Sequence, residues 1–295
     1  MIHIEWSQQY LGHQAAIYAL YADPEHPGEF ISLGGEGWIA RWKRGYQDGQ
    51  LIAKADTSLF TAIRIDRQFL VGGLDGRLYI IPDGHGAVRA IEHHRKGLYQ
   101  LFCINQQLFS LGADGRLTLW DRESYLPQFS LPVSGKALRC QAVAAEDRLW
   151  IGSSDGHLHL VDVEAGKTLT SITAHQPSVF SVQYDAKTGH LISGGRDALI
   201  RRWDLTDLHL QKSIPAHWYT VNQLLLHPSR PLLVSASRDR TIKFWHSRTL
   251  ELLKVIETPK YPGHIRSVNA LAWLDDETLV SGGDDRSIIE WKVGE

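Results

Sequence analysis

Cysteine is almost absent from this sequence, which has only Cys103 and Cys140 among its 295 residues. Two cysteines cannot staple a chain of this length, so a disulfide-dense secreted fold is excluded and a reducing compartment is expected. No stretch approaches the ~20 apolar residues that a membrane span requires. The first ten residues lack the basic region and apolar core of a signal peptide. We therefore expect a soluble, cytoplasmic protein without a membrane partner.

Net charge is also small, because 31 Lys and Arg are balanced by 33 Asp and Glu to give −2. This balance argues against a general binder of nucleic acid. Residues 166–248 nevertheless hold 11 basic and 5 acidic residues, a local charge of +6. That basic sector suits an acidic peptide or a nucleic-acid backbone, or it keeps edge strands soluble, since Arg201, Arg202 and Lys243 alternate with apolar residues. We prefer the solubility interpretation and expect no nucleic-acid partner.

Tryptophan, in contrast, is abundant with ten copies, and the spacing of these residues is informative. Seven segments share a β-prone run, a small-residue turn with an acid, and a short strand ending in Trp or an aliphatic residue. They span 32–42, 71–81, 110–120, 151–161, 193–203, 235–245 and 281–291. Six residues before each end lies an acid: Glu36, Asp75, Asp114, Asp155, Asp197, Asp239 and Asp285. The segment ends are 41.5 residues apart on average.

A period near 40 residues with several short strands per unit is typical of a β-propeller blade. The Asp-Gly pairs at 75–76, 114–115 and 155–156 predict tight turns between strands. No helical periodicity of useful length is present, so the sequence predicts an all-β, seven-bladed propeller of four-stranded blades. Only four residues follow Trp291, too few for another strand. We therefore expect the N-terminal strand, about residues 2–6, to complete the last blade and close the ring.

Short motifs at the repeat boundaries resemble those of the WD-repeat (WD40-type) β-propeller family. They are the pairs Gly12-His13, Ala174-His175, Ala216-His217 and Gly263-His264 at repeat starts, and Trp120-Asp121 and Trp203-Asp204 at strand ends. The resemblance covers essentially the whole chain. It implies that residues 1–295 form a single WD-repeat propeller domain.

The resemblance also implies a hydrogen-bonded tetrad of His, Ser or Thr, Asp and Trp within a blade. Complete sets are His175, Ser193, Asp197 and Trp203; His217, Ser235, Asp239 and Trp245; and His264, Ser281, Asp285 and Trp291. The first repeat has His13, Ser32, Glu36 and Trp42, and the third has Ser110, Asp114 and Trp120 with either His93 or His94. We interpret these residues as structural, because such a chain satisfies polar groups that would otherwise be buried unpaired.

The second and fourth repeats depart from this pattern. Ile81 and Val161 replace the Trp, Val71 and Ile151 replace the Ser, and no histidine stands at the expected place. Replacing all the polar partners together is physically consistent, since a half-satisfied network is worse than none. Asp75 and Asp155 are therefore predicted to form turns only.

The sequence offers little for catalysis. An enzymatic propeller needs convergent carboxylates or a metal held by His and acids, and the nearest candidate, His157 with His159, has no acid or Cys fixed beside it. Cys103 and Cys140 lie in strand-like contexts and are expected in the core. We expect no enzyme activity, no metal and no cofactor. The alternative is a hydrolase-like propeller that uses its central channel.

A sharper signal comes from the fifth residue after each repeat-start histidine and from the equivalent residue of the two repeats that lack one. These residues are Tyr18, Phe60, Tyr99, Arg139, Phe180, Asn222 and Asn269, and in the family resembled this position faces the channel mouth. Four aromatics there either plug the channel against one another or form a cage for an apolar or cationic side chain. In the cage interpretation the two Asn side chains offer hydrogen bonds and Arg139 contacts a carboxylate. Replacing Tyr99 and Phe180 together with Ala is then expected to abolish partner binding.

Further residues are expected on the same face. Trp218 and Tyr219 follow a repeat-start histidine, and Arg196 and Arg238 precede turn acids in neighbouring repeats. Aromatics and Arg are common interface anchors. We therefore expect a non-catalytic scaffold or adaptor that binds a protein or peptide at the top face and channel mouth, and that is monomeric outside its complex. A ubiquitin-ligase substrate receptor is a weaker alternative, based on Trp245-His-Ser-Arg248.

Overall fold

The computed structural model describes residues 2–84 and 86–294. All regular elements in these ranges are strands, 28 in number, and no helix there is long and apolar enough to cross a membrane. The strands form seven four-stranded sheets, which we name blades 1 to 7. The structure is thus an all-β, seven-bladed propeller closed by its N-terminal strand, and the sequence prediction is confirmed.

Blades 1 to 6 take their strands in chain order, from the innermost strand outward. Blade 1 contains β2 (Ile17–Ala22), β3 (Glu29–Gly34), β4 (Trp38–Lys43) and β5 (Gln50–Lys54). Blade 2 contains β6 (Leu59–Ile65), β7 (Gln68–Gly73), β8 (Arg77–Pro82) and β9 (Arg89–Glu92). Blade 3 contains β10 (Leu98–Ile104), β11 (Gln107–Gly112), β12 (Arg116–Trp120) and β13 (Pro127–Pro132).

The later blades repeat this order. Blade 4 contains β14 (Leu138–Ala145), β15 (Arg148–Ser153), β16 (His157–Asp162) and β17 (Lys167–Thr173). Blade 5 contains β18 (Val179–Asp185), β19 (His190–Gly195), β20 (Leu199–Asp204) and β21 (His209–Pro215). Blade 6 contains β22 (Val221–Leu226), β23 (Leu232–Ser237), β24 (Ile242–His246) and β25 (Leu252–Ile256). Blade 7 contains β26 (Val268–Asp275), β27 (Thr278–Gly283), β28 (Ile288–Gly294) and, outermost, β1 (His3–Tyr10).

The closing strand is longer than the sequence predicted. β1 pairs antiparallel with β28 from His3 opposite Gly294 to Tyr10 opposite Ile288, with a bulge after Trp6. The polar residues that follow Trp6 stay in the ladder because Tyr10, at its end, is fully buried. The strand therefore has a buried side chain near each end, Ile4 and Tyr10.

The chain divides into two compact units, Met1–Ala62 with Asn222–Glu295 (unit 1) and Ile63–Val221 (unit 2). In unit 1, one apolar cluster joins Ile4 to Phe244, Leu279 and Trp291, and a second contains Tyr10. In unit 2, the apolar clusters lie around Trp120, Leu149 and Trp203. Each cluster gathers side chains from successive sheets, as stacked blades require.

The turn glycine after the acid has a steric reason. Gly115 has a φ of +80°, and a Cβ there would collide with the carbonyl oxygen of Ser134. Glycine accepts this left-handed conformation at little cost. Other residues also adopt it at this turn position, as Ala198, Arg240 and Arg286 do in blades 5, 6 and 7. Asp-Gly is therefore one of several residue pairs that form this turn.

Candidate functional site

Most buried histidines belong to hydrogen-bonded chains inside single blades. In blade 5, Trp203 Nε1 donates to Ser193 Oγ at 2.9 Å, and Ser193 lies 2.8 Å from His175 Nε2. His175 Nδ1 then lies 2.8 Å from Asp197 Oδ1. Because Trp only donates and a carboxylate only accepts, a neutral histidine takes the Ser proton at Nε2 and donates from Nδ1. These side chains are hydrogen-bonded to one another, which suits a structural role.

Three other blades have the same chain. Blade 1 joins His13, Ser32, Glu36 and Trp42, blade 3 joins His94, Ser110, Asp114 and Trp120, and blade 7 joins His264, Ser281, Asp285 and Trp291, all through contacts of 2.6–3.0 Å. In blade 3 the member is therefore His94, whereas His93 Nε2 lies 2.9 Å from Thr118 Oγ1. In blade 6, Trp245 donates to Ser235 at 2.8 Å, and His217 is buried just before β22. Asp239 in that blade holds its own turn through Thr241.

Asp75 and Asp155 do more than form turns, so that expectation is wrong. Asp75 accepts a hydrogen bond from the Tyr79 hydroxyl at 2.6 Å. Asp155 accepts from Ser134 at 2.6 Å and also from Ser153, which lies 2.9 Å from His159 Nε2. The fourth blade thus replaces the usual tetrad with a different buried polar network. The sequence signal for this network was the pair His157 and His159, whose side chains lie on the same face of β16.

Acid is expected to destabilise the fold in two stages. Burial lowers the pKa of His175 below its ordinary value of 6.5. Burial alone would raise the pKa of the Asp197 carboxyl, but hydrogen bonds and charges from His175 and Arg201 lower it from 3.8 to about 2. The pKa of Asp285 is lowered to the same value, against the effect of burial, by the hydrogen bond and charge of His264. In each case the unfolded chain binds more protons, so stability falls as pH drops below about 6.5 and again between 3.8 and about 2.

The measurement is the melting temperature at pH 7.5, 5.5 and 3. We expect successive decreases, and a flatter decrease below pH 4 for Asp197→Asn, since that variant has lost one of the titrating carboxyls. A melting temperature that stays constant from pH 7.5 to 3 contradicts this account.

Few ligand-capable groups lie outside these chains. Within the described ranges, the one group of three that could hold a metal ion is Asp204, Asp207 and His209. Asp204 accepts hydrogen bonds from the backbone N–H and the hydroxyl of Thr206. The His209 ring is hydrogen-bonded to Asp207. The cluster is a set of local contacts in the turn that connects β20 to β21.

In unit 2, the loops before the inner strands lie on one face with the turns in the middle of the blades. Backbone bonds of 2.7–3.1 Å join Ala113 to Gly97, Ser154 to Ala137, Arg196 to Ser178 and Ala216 to Ala198. We call this surface, with loops 93–97, 133–137, 174–178 and 216–220 and turns 113–115, 154–156 and 196–198, the loop face. The second residue of each inner strand lies next to it.

On the loop face, Arg139 lies between two aromatic rings. Its guanidinium carbon is 4.6 Å from the ring centroid of Phe180 and 5.2 Å from that of Tyr99. Its Nε donates to Ser154 Oγ at 2.6 Å. The structure therefore brings three of the predicted mouth residues together, with the chain's own arginine as the cation between these two rings. Ser154 was missed, although it precedes a turn acid as Arg196 and Arg238 do.

In unit 1, the mouth residues form an aromatic pair and a polar group. The rings of Tyr18 and Phe60 are 5.3 Å apart, and burial together with the charge of Asp284 raises the pKa of Tyr18. Asn269 donates to Asp284 at 2.7 Å, and Asn222 donates to the Val268 carbonyl at 2.8 Å and lies 3.3 Å from Asn269. Asn269 and Asp284 in blade 7 correspond to Arg139 and Ser154 in blade 4: the second residue of the inner strand bonds the residue before the turn acid.

The two predicted loop aromatics are strongly exposed. Trp218 is 86% and Tyr219 60% accessible, in the loop 216–220. Arg196 is exposed in a turn of the loop face, and Arg238 is exposed in the turn after β23. Exposed Trp is uncommon, because burying its large apolar surface is favourable. These side chains are the most accessible aromatic feature of unit 2.

Repeated four-stranded blades with internal His–Ser–Trp chains define a repeat β-propeller. Three segments, 166–204, 208–246 and 254–292, match the family model of the WD domain, G-beta repeat. These three segments are WD repeats, as the resemblance of the sequence motifs indicated. The crystal structure of the WD40 β-propeller domain of Doa1 shares its fold, with a TM-score of 0.86 and 18% identity over 99% of this chain and 97% of that one.

Similarity to curated proteins is partial. Telomerase protein component 1 of Mus musculus is 32% identical over 48% of this chain and 5% of its own length. The THO complex subunit 6 homolog of Danio rerio is 20% identical over 38% of each chain. The guanine nucleotide-binding protein subunit beta-like protein 1 of Mus musculus is 26% identical over 49% of this chain and 44% of its own. The chain spans less than half the length of each of these relatives.

Proposed function

We propose that this protein is a non-catalytic scaffold or adaptor that binds a protein or peptide partner on the loop face. The observation that carries the proposal is the exposure of Trp218 and Tyr219 side by side in one loop. A Trp that is 86% accessible gains little from folding but contributes strongly when a partner covers it. Truncating such an anchor commonly costs about 2 kcal/mol or more of binding free energy.

The chemistry of the blades supports the non-catalytic part of this proposal. The buried His and acid side chains of blades 1, 3, 5 and 7 are held in hydrogen-bonded chains with Ser and Trp. A general base must instead reach a substrate. WD40 propellers commonly act as interaction scaffolds, and one relative is named as the homolog of a complex subunit. We further propose a cytoplasmic location, consistent with the two free thiols of Cys103 and Cys140.

Affinity capture from an extract, compared between variants, tests the proposal. The double variant Trp218→Ala/Tyr219→Ala is expected to lose bound partners at least about 10-fold, since two anchors are removed from the loop face. Tyr46→Ala is the matched control, because Tyr46 is also 62% exposed but lies in the segment between β4 and β5. Partners count only if the control retains them. Equal recovery by the double variant and the control would exclude this loop as the binding surface.

A further inference from the structure

The guanidinium of Arg139 is fixed from three sides. Phe180 and Tyr99 present their ring faces to it at 4.6 and 5.2 Å, and its Nε donates to Ser154 at 2.6 Å. Cation–π contact stabilises the charge, and the hydrogen bond fixes the rotation of the planar group. Arg139 is itself half-buried. Little conformational entropy remains to be lost if this group binds a ligand.

The charge of Arg139 is not neutralised within the part of the chain that the structure describes. No carboxylate there lies within 4.0 Å of its nitrogens. Two other half-buried arginines of unit 2 differ, because Arg64 lies 2.8 Å from Asp83 and Arg201 lies 2.7 Å from Asp197. The N–H groups on the terminal nitrogens of Arg139 can therefore donate to an acceptor on a bound partner.

Neighbouring charges on the loop face are mostly positive. Lys136 and Arg196 are both exposed, in loop 133–137 and turn 196–198. The acid nearby in sequence, Asp155, already accepts bonds from Ser134, Ser153 and His157, which hold it in its own turn. An incoming anion thus meets one fixed guanidinium and two exposed cations on the same face.

We propose that Arg139 is a preformed receptor for an oxyanion carried by the peptide partner. The ligand is a carboxylate of Asp or Glu, or the phosphate of a phosphorylated side chain, since both offer the paired oxygens that fit the guanidinium fork. The proposal rests on the proposed function and specifies the chemistry of the partner. Tyr99 and Phe180 serve here to position the arginine; their ring faces do not hold a cation from the partner.

A library of capped seven-residue peptides provides the probe. One position is fixed as Asp, Glu, phosphoserine, Asn or Gln, the others are randomised, and retention on immobilised protein is measured. Wild-type protein is expected to retain the acidic sets at least about 10-fold better than their amide counterparts, because a charge-assisted bidentate bond replaces a neutral one. Stronger retention of phosphoserine identifies phosphate as the source, and equal or stronger retention of Asp or Glu identifies a carboxylate.

Three variants locate the effect. Arg139→Gln is expected to abolish the preference for acid, whereas Arg196→Gln, which removes the same charge from an exposed arginine of the same face, is expected to retain most of it. Phe180→Leu keeps the arginine but loosens it, and an intermediate preference is expected. It also serves in place of Arg139→Gln should that variant melt at a much lower temperature than the wild type.

Three results overturn the proposal: no acid preference in the wild type, a preference that survives Arg139→Gln, or equal losses in Arg139→Gln and Arg196→Gln. Each leaves the proposed function standing if capture still depends on Trp218. Conversely, an acid preference that depends on Arg139 supports the proposed oxyanion site even if the Trp218 variants still capture partners like the wild type. In that case only the position of the proposed binding surface is wrong.

Discussion

Deletion of residues 1–7 is expected to lower the melting temperature by roughly 10 °C or to cause aggregation. The deletion removes Ile4, which is buried against blade 7, and most of the ladder that β1 makes with β28. Loss of one buried aliphatic side chain and several ladder bonds costs on the order of 5 kcal/mol. It also leaves β28 as an open edge, which invites pairing with other chains.

A buried carboxylate strengthens this expectation. Glu290 on β28 is only 2% exposed and accepts hydrogen bonds from Tyr10 at 2.7 Å and Ser7 at 2.8 Å. Burial, followed by the bond to this carboxylate, raises the pKa of Tyr10. Deleting Ser7 removes one of its donors, and fraying of the shortened strand withdraws the other, so a buried charge loses partners.

Differential scanning calorimetry measures the effect, with light scattering to detect aggregation. The matched control replaces the exposed residues His3 and Glu5 of the same strand with Ala, which should change the melting temperature by no more than about 2 °C. A truncated protein that melts like the wild type would show that β1 is not needed to close the ring.

The fold could be predicted from the sequence because equivalent residues of successive blades recur at a nearly constant interval along the chain. Each blade must bury the same positions, so Trp42, Trp120 and Trp203 recur with their turn acids at a fixed offset. The closing strand was predicted from the spare strand that precedes the first repeat. Its full length did not, because the burial of Tyr10 depends on Glu290, which lies 280 residues away along the chain.

The positions of the candidate-site residues could be predicted from the sequence, but the contacts between their side chains could not. Periodicity placed Tyr99, Arg139 and Phe180 at equivalent positions of successive blades, yet whether neighbours touch depends on the distance between sheets, which no repeat length specifies. The direction of the Arg139 side chain also depends on Ser154, a small residue whose only sequence signal is its place before a turn acid. For the same reason, the choice between His93 and His94 required the geometry of the loop before β10.

The second large effect is expected for Trp291→Ala in blade 7. Trp291 is fully buried and donates from Nε1 to Ser281 Oγ at 2.8 Å. Truncating a buried Trp costs about 3–5 kcal/mol through lost apolar burial and the cavity left behind. Ser281 also loses its donor, so the chain through His264 to Asp285 is left incomplete at its buried end.

Trp291→Phe separates the two contributions, since it keeps much of the ring volume and removes the donor. Urea unfolding is expected to show a much smaller loss for this variant, with the hydrogen bond contributing about 1 kcal/mol. Trp218→Ala is the matched control for removing a Trp, and its 86% exposure predicts a change within about 0.5 kcal/mol.

Blade 2 explains why burial is expected to dominate. There Ile81 and Val71 occupy the positions of the Trp and the Ser, both are buried, and the blade keeps all four strands without a tetrad. A well-filled apolar interior thus suffices to hold a blade, and the tetrad adds order to an already stable sheet. If Trp291→Phe were as destabilising as Trp291→Ala, the hydrogen-bonded chain would be the main support of blade 7 and this order of contributions would be reversed.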